Sequence, residues 1–190
     1  MIIFSAAHKA KLPGKPLPER LSGLSPVITP NCRVLVLGSF PSAASLTAKQ
    51  YYAHPQNRFW PILGDCLGVD LRALPYRERI KRVNAAGIGI WDIYAACERA
   101  GSLDSAIRNA EFNDFKSLRR RAPKLARVCL NGATAAKAVR HLNDLGFETI
   151  ALPSTSPANA SQSYAFKLAR WRAALWFTAP PAAVSDAASL

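Results

Sequence analysis

Residues 33–41 read RVLVLGSFP, and this segment is the best guide to the architecture. Its residues from Val34 to Leu37 form an unbroken run of aliphatic side chains, which is typical of a strand buried on both faces. Gly38 then starts a sharp turn, and Pro41 removes a backbone donor just beyond it. A buried strand that ends in a polar turn predicts a parallel sheet covered by helices.

Similar apolar runs recur along the chain and alternate with helical patterns. Strands are predicted at 33–37, 87–91, 126–130 and 149–152, and helices at 59–67, 76–84, 113–121, 133–145 and 161–177. In the last helix, an apolar stripe of Tyr164, Leu168, Trp171 and Leu175 is expected opposite Lys167, Arg170 and Arg172. This alternation of strands and helices predicts an α/β fold, a three-layer α/β/α sandwich around a four-stranded, mostly parallel sheet.

The 190 residues suffice for one domain, expected at 31–178. A basic, proline-rich arm is expected at 1–30 and a loose Ala/Pro/Ser-rich tail at 179–190. The formal net charge of +13 is typical of proteins that meet polyanions, with nucleic acid ahead of acidic lipid. The four cysteines have no C-x-x-C pair, and no apolar run approaches the ~18 residues of a membrane span. We therefore expect a cytoplasmic, nucleoid-associated monomer with reduced cysteines.

Parallel sheets bind ligands beyond the carboxyl ends of their strands, so the residues that follow each run are the candidates for chemistry. They are 38–41 with the ring-rich segment YYAHPQNRFW (51–60), then Asp92, then 131–132, and finally LPSTSPAN (152–159). The ring-rich segment is unusually dense in aromatics and amides for a loop, which favours a site. An aromatic ring can stack on a nucleobase, and an amide oxygen can orient water.

Plainer interpretations stay open for most of these residues. Gly38 to Pro41 is also the pattern of an ordinary strand-to-loop turn, and Phe59 with Trp60 is expected to seat a helix in the core. Asp92 can accept a hydrogen bond from a base N–H or cap the segment that follows it. Ser156 or Ser161 can equally be a helix cap. No dinucleotide fingerprint, P-loop, serine-hydrolase motif or zinc-deaminase motif is present, so we expect no cofactor and no metal.

Taken together, the segments LGSFP (37–41), YYAHPQNRFW (51–60) and LPSTSPAN (152–159) resemble the uracil-DNA glycosylase superfamily. The resemblance covers about 33–177 and is strongest to the hypoxanthine-DNA glycosylase branch, then to the mismatch-specific uracil-DNA glycosylases. It implies a four-stranded parallel sheet, no cofactor, and a pocket for a base flipped out of DNA. The implied activity is excision of deaminated bases, hypoxanthine and uracil in mismatches, in base-excision repair. No Schiff-base lysine is evident in the motifs, so we expect a monofunctional glycosylase without lyase activity.

The resemblance also assigns roles by position. Asn57 matches the water-positioning catalytic residue of the hypoxanthine branch, and Ser154 matches the residue that supports the leaving base. The full expected set is catalytic Asn57, Ser39 and Ser154; base-binding Phe40, Tyr52, His54 and Asp92; and DNA-binding Ser156, Pro157, Ala158 and Asn159.

Two departures from the pattern motivate alternatives. Phe40 stands where many relatives hold the water-activating Asp or Asn, and the last segment offers no large apolar wedge to refill the space of a flipped base. A non-catalytic nucleic-acid-binding domain that keeps the pocket is therefore the second hypothesis. A metal-dependent nucleotide hydrolase is a third, and the lack of a close carboxylate cluster argues against it.

Overall fold

The computed structural model describes residues 20–175. Within them lie seven strands: β1 (Arg20–Ser22), β2 (Val34–Gly38), β3 (Ile88–Asp92), β4 (Tyr94–Glu98), β5 (Arg108–Phe112), β6 (Arg127–Asn131) and β7 (Glu148–Leu152). The α-helices are α1 (Ala43–Ala48), α2 (Phe59–Leu67), α3 (Tyr76–Ala85), α4 (Leu118–Arg121), α5 (Ala133–Ala136), α6 (Val139–Asp144) and α7 (Tyr164–Leu175). None of the helices in this range is long and apolar enough to cross a membrane.

Strands β3, β2, β6 and β7 form a four-stranded sheet in that order, and every pair is parallel. In the central strand β2, the side chains of Val34, Leu35, Val36 and Leu37 are all fully buried. Because successive side chains of a strand point to opposite faces, both faces of the sheet are covered. The predicted α/β fold with helices on both sides of a parallel sheet is confirmed.

The core continues into the helices through aromatic contacts. Phe59 at the start of α2 packs edge-on against Trp171 of α7, with 5.8 Å between ring centroids. The Trp171 indole N–H donates to the Pro153 carbonyl at 3.1 Å, which ties α7 to the loop after β7. The helix–sheet packing therefore fixes the loops at the carboxyl ends of the strands.

The prediction of a separate basic arm at 1–30 is wrong for residues 20–30, which are part of the domain. Arg20–Ser22 pairs antiparallel with β4, and Val27 forms a bridge with Ile90. The Tyr51 hydroxyl donates to the carbonyls of Leu24 and Ser25, because a buried phenol needs an acceptor. The domain thus begins by residue 20; residues 1–19 and the tail predicted at 179–190 lie outside the described range.

Three other local predictions need correction. The structure places a small antiparallel sheet, β1-β4-β5, where no strands were predicted, and helix α1 was also missed. The helix expected at 133–145 is broken into α5 and α6. The helix expected at 113–121 begins only at Phe115, with a 3₁₀ turn that is followed by α4. Lys167 is buried with Trp171, although it was placed on the polar side of α7.

Candidate active site

A cavity of about 460 Å³ opens at the carboxyl ends of β2, β3, β6 and β7. That volume is within the range of small-molecule sites and has room for a purine base. All eleven residues predicted for the site line it: Ser39, Phe40, Tyr52, His54, Asn57, Asp92, Ser154, Ser156, Pro157, Ala158 and Asn159. Asn57 and Tyr52 both line this one cavity, and the roles of all eleven residues stay predictions.

The Tyr52 ring is held in place by three features. Its backbone φ is +54°, a left-handed conformation that bulky residues rarely adopt and that occurs preferentially at functional sites. The ring stacks on Phe59 with centroids 3.7 Å apart and planes at 15°. The Asn131 amide donates to the Tyr52 hydroxyl at 3.2 Å. Phe59 therefore covers one face of the ring, and Tyr52 lines the cavity in a fixed orientation.

Asn131, in the candidate segment 131–132 to which no role was assigned, organises two of the cavity walls. It is the buried last residue of β6, and its side chain exchanges two hydrogen bonds with Thr155, each at 3.0 Å. Together with its bond to Tyr52, these bonds connect the ring-rich segment to the segment after β7. Its place at the carboxyl end of a buried strand was the available signal.

Asn57 lies one residue before the turn that enters α2. Its side-chain oxygen accepts a hydrogen bond from the Phe59 backbone N–H at 2.9 Å, so it satisfies one of the N–H groups that have no partner within that helix. The carbonyl oxygen has a second lone pair, and the amide has two N–H donors. Asn57 therefore combines a fixed orientation with hydrogen-bonding capacity that faces the cavity.

Asp92 ends β3 and is 4% exposed. The alternative that it caps a following helix is wrong, because residues 94–98 form strand β4. Its Oδ2 is buried and has no hydrogen-bond partner. Burial, with a contribution from the negative charge of Asp104, raises the pKa of Asp92 to about 8, and the Arg99 guanidinium opposes that rise.

Gly38 makes room for this carboxyl group. A Cβ at position 38 would lie 2.5 Å from Asp92 Oδ1, which is closer than atoms tolerate, and 3.2 Å from the Tyr52 hydroxyl, which is a tight contact. The glycine at the end of β2 is therefore needed for a close approach of side chains. Its φ is negative, so the left-handed conformation is not the reason for it here.

Ser39 and Asp104 form a pair that sequence reasoning missed. The Ser39 hydroxyl donates to the Asp104 carboxylate at 2.7 Å, and Asp104 lines the cavity. Since the hydroxyl proton is used in this bond, Ser39 is left with its oxygen as an acceptor toward a ligand. Asp104 lies in a short 3₁₀ turn after β4, outside the four strand ends that guided the prediction.

Phe40 forms an apolar part of the wall. It is 6% exposed, and the guanidinium of Arg99 packs over its ring at 5.0 Å from the centroid. Arg99 also donates to the Pro41 carbonyl. A buried arginine thus holds the turn after β2 in place. Phe40 gives the cavity an apolar surface at this position.

The segment after β7 forms the opposite wall. Ser154 Oγ accepts from the Ser156 backbone N–H at 3.2 Å, which leaves its hydroxyl proton for a ligand. Ser156 Oγ accepts from the Ala158 N–H at 3.3 Å, so Ser156 stabilises a turn rather than the helix it was thought able to cap. His54 Nδ1 accepts from the Gln56 N–H at 3.3 Å.

The uracil DNA glycosylase superfamily is matched by residues 25–177 of the chain. This match covers most of the chain, and the chain belongs to that superfamily.

Individual relatives give a finer comparison. Two proteins, from Methanosarcina acetivorans and Methanosarcina barkeri, are named hypoxanthine DNA glycosylase and are 40% and 39% identical to this chain over 137 residues. Each of these matches covers 72% of this chain and 87% of the relative. A solution NMR structure of a candidate uracil DNA glycosylase from M. acetivorans superposes with a TM-score of 0.76 at 37% identity, covering 83% of this chain and 97% of that one.

Proposed function

We propose that the chain is a monofunctional DNA glycosylase that removes hypoxanthine, and uracil in mismatches, from DNA in base-excision repair. The observation that carries the proposal is one cavity of base size that brings together a fixed aromatic ring, an amide and a buried acid, Tyr52, Asn57 and Asp92. The superfamily membership and the names of the two relatives support the same activity. The net charge of +13 suits a polyanionic substrate.

Recognition of the base rests on Asp92. A neutral carboxylic acid has one acceptor oxygen and one O–H donor, the complement of the N1–H and C6=O pair on the edge of hypoxanthine. Uracil presents the same N–H and C=O pair, so Asp92 serves both bases. Tyr52 adds stacking, worth roughly 1–3 kcal/mol per base.

The reaction consumes one water molecule. The bond between C1′ of the sugar and the base breaks, the base leaves with the electron pair, water oxygen bonds to C1′, and a water proton ends on the base. Such a departure needs charge stabilisation and a placed water more than a strong base. The Asn57 oxygen orients the water, while Ser154 and Asp92 donate hydrogen bonds to the departing base.

Incubation of the protein with duplexes that carry a single inosine or a single uracil, followed by alkali, tests this proposal. Strand cleavage at the inosine, and at uracil in a mismatch, is expected after alkali and not before it. In the described range, no lysine lines the base-sized cavity, so no covalent Schiff-base intermediate is expected. Intact strands beside an active control enzyme would favour the non-catalytic DNA-binding alternative.

A decline of the excision rate is expected as the pH rises through about 8, where Asp92 ionises. Below that pH the acid is neutral and donates its O–H to the base; above it the donor is lost. Two charged groups act on Asp92, namely Asp104 and Arg99. The phenols of Tyr51 and Tyr52 stay neutral in this range, because burial and the charge of Asp92 raise their pKa values.

The matched variant for this pH profile is Asp92→Asn, whose amide also offers one acceptor and a donor but does not titrate. Single-turnover rates are measured between about pH 6 and 10. Above about pH 8 the rate should fall for the native protein and stay level for Asp92→Asn. Parallel declines in both proteins would assign the titration to another group. Stability should also fall with rising pH, but at lower pH than activity, because the raised pKa of folded Asp92 gives a stabilisation that is fully present below its ordinary pKa of 3.8 and is lost by about pH 8.

Leu103 is a candidate for the apolar wedge that the last segment lacks. Its side chain is 60% exposed and lines the base-sized cavity. The residues on either side are anchored, since Ser102 Oγ accepts from the Ala43 N–H at 3.0 Å and Asp104 accepts from Ser39. An exposed leucine on an anchored loop at the mouth of a base pocket can occupy the space that a flipped nucleotide vacates.

Truncation of this side chain in Leu103→Ala should slow excision from a duplex about tenfold, because unstacking a base step costs a few kcal/mol that the wedge offsets. Excision from a single strand, where no stack has to be opened, should change little. Phe166→Ala is the matched control, since Phe166 is 48% exposed and does not line the base-sized cavity. An equal loss on both substrates would exclude a wedge.

A further inference from the structure

A second cavity of about 540 Å³ adjoins the base-sized one. It lies between the entrance to α2, the turn at Arg72, the loop after β7 and the start of α7, and we name it the basic groove. The two cavities share four lining residues: Asn57, Ser156, Pro157 and Asn159. A nucleotide whose base enters the first cavity therefore brings the neighbouring sugar–phosphate backbone to the wall of the second.

The charge of the basic groove has one sign. Its charged lining residues are Arg58, Arg72 and Lys167, and no aspartate or glutamate of the described range lines it. None of the three cations is among the ion pairs found in residues 20–175, which join other residues. A cavity lined by three cations without a counter-charge favours an anionic ligand.

Lys167 gives the strongest argument that the basic groove binds an anion. Only 2% of it is exposed, and its ammonium donates to the Asn159 carbonyl at 2.6 Å. Burial, with the nearby positive charge of Arg58, lowers the pKa of Lys167. A buried ammonium group destabilises the fold unless it has a negative partner. The Asn159 carbonyl is neutral and accepts from only one of the three N–H donors of the Lys167 ammonium. An anion in the basic groove would satisfy the others.

Arg58 is held at the rim of the same groove. Its guanidinium lies over the Tyr164 ring, 5.6 Å from the centroid, and the Tyr164 hydroxyl donates to Asp65 at 2.7 Å. The Arg58 backbone N–H donates to the Thr155 carbonyl at 3.0 Å. Stacking on a ring leaves the N–H edge of a guanidinium free, which is the edge that binds phosphate oxygens in pairs.

We infer that the basic groove binds one backbone phosphate of the DNA strand that carries the flipped nucleotide, with Arg58 and Lys167 as its principal contacts. The inference rests on the proposed function for the choice of DNA, while the ligand chemistry, a phosphate, follows from the groove itself. Free phosphate is the other source of the same chemistry, and the experiment distinguishes the two.

Binding to a duplex with a stable abasic analogue, which cannot be cleaved, tests the inference over about 50 to 200 mM salt. Arg58→Gln should weaken binding about tenfold and reduce the slope of log Kd against log salt by about 0.9, the value for one lost phosphate contact. Lys167→Met should do the same and Lys167→Arg should not. Arg140→Gln, an exposed arginine that lines neither cavity, controls for loss of one positive charge.

A single neutral methylphosphonate, moved along the lesion strand, locates the contact. At one position near the lesion it should weaken native binding about tenfold and abolish the further effect of Arg58→Gln. Equal effects of Arg140→Gln and Arg58→Gln, or an Arg58→Gln effect that persists at every methylphosphonate position, would overturn the inference. Inorganic phosphate that raises the unfolding temperature of the native protein but does not compete with DNA would assign the groove to a free anion instead.

These readouts separate the inference from the proposed function. Excision of inosine by the native protein together with an unchanged salt slope in Arg58→Gln and Lys167→Met would reject the groove and keep the glycosylase. Absence of excision together with the expected slopes and methylphosphonate position would reject the glycosylase and keep the phosphate site. Arg58 is exposed, so Arg58→Gln is expected to fold even if Lys167→Met does not.

Discussion

Asn57→Ala should lower single-turnover excision of hypoxanthine roughly 10²–10³-fold, the usual cost of removing one group that stabilises the transition state. The reason is that the amide oxygen that orients the attacking water is lost. Affinity for a duplex with a stable abasic analogue should change little, because the phosphate and stacking contacts remain. Rapid-mixing kinetics for excision and fluorescence anisotropy for binding measure the two effects separately.

The control for this prediction follows from the helix cap. Since Asn57 also accepts from the Phe59 N–H, alanine should cost about 1 kcal/mol of stability as well as activity. Asn57→Ser keeps a capping oxygen but has no amide to reach the water, so it should be nearly as inactive as Asn57→Ala and more stable. Recovery of activity in the serine variant would assign Asn57 to the structure alone.

Asp92→Leu should lower excision about 10²-fold or more, because two hydrogen bonds to the base are lost. Its thermal stability should equal or exceed that of the native protein. A buried carboxyl group whose Oδ2 has no partner destabilises the fold, and a leucine of similar size does not carry that cost. Differential scanning calorimetry and single-turnover kinetics on the same preparation would measure both effects.

The comparison with Asp92→Asn sharpens this prediction. The asparagine keeps a donor and an acceptor toward the base, so most of the activity below pH 8 should survive, whereas the leucine variant should show its loss of about 10²-fold or more at every pH. Loss of activity in both variants would show that an ionisable group is required at position 92. Full activity in Asp92→Leu would remove Asp92 from base recognition.

The parts of the fold that follow from hydrophobic patterns were predictable. The four strands of the parallel sheet and most helices are visible as apolar runs, and parallel strands bring their carboxyl ends together. For that reason the residues after β2, β3 and β7 could be assigned to one site before any geometry was known. The ring-rich segment at 51–60 was added because of its composition.

The parts that depend on packing between distant segments were not predictable. Strand β1 has only three residues, and β4 and β5 pair with register shifts and bury few side chains, so these strands lack a clear alternation of apolar and polar residues. Leu103 and Asp104 reach the site from the connection between β4 and β5. Lys167 was placed on the polar side of α7 because lysine is normally exposed, and only the structure shows its stem packed inside.

The central claim, hydrolysis of the bond between base and sugar, is tested most directly by identifying the product released from an inosine duplex. Mass spectrometry of the small-molecule fraction should find free hypoxanthine, in equal amount to the abasic sites formed, and Asn57→Ala should release almost none. Release of deoxyinosine or its phosphate, with breaks present before alkali, or no release at all by the native protein, would contradict the account.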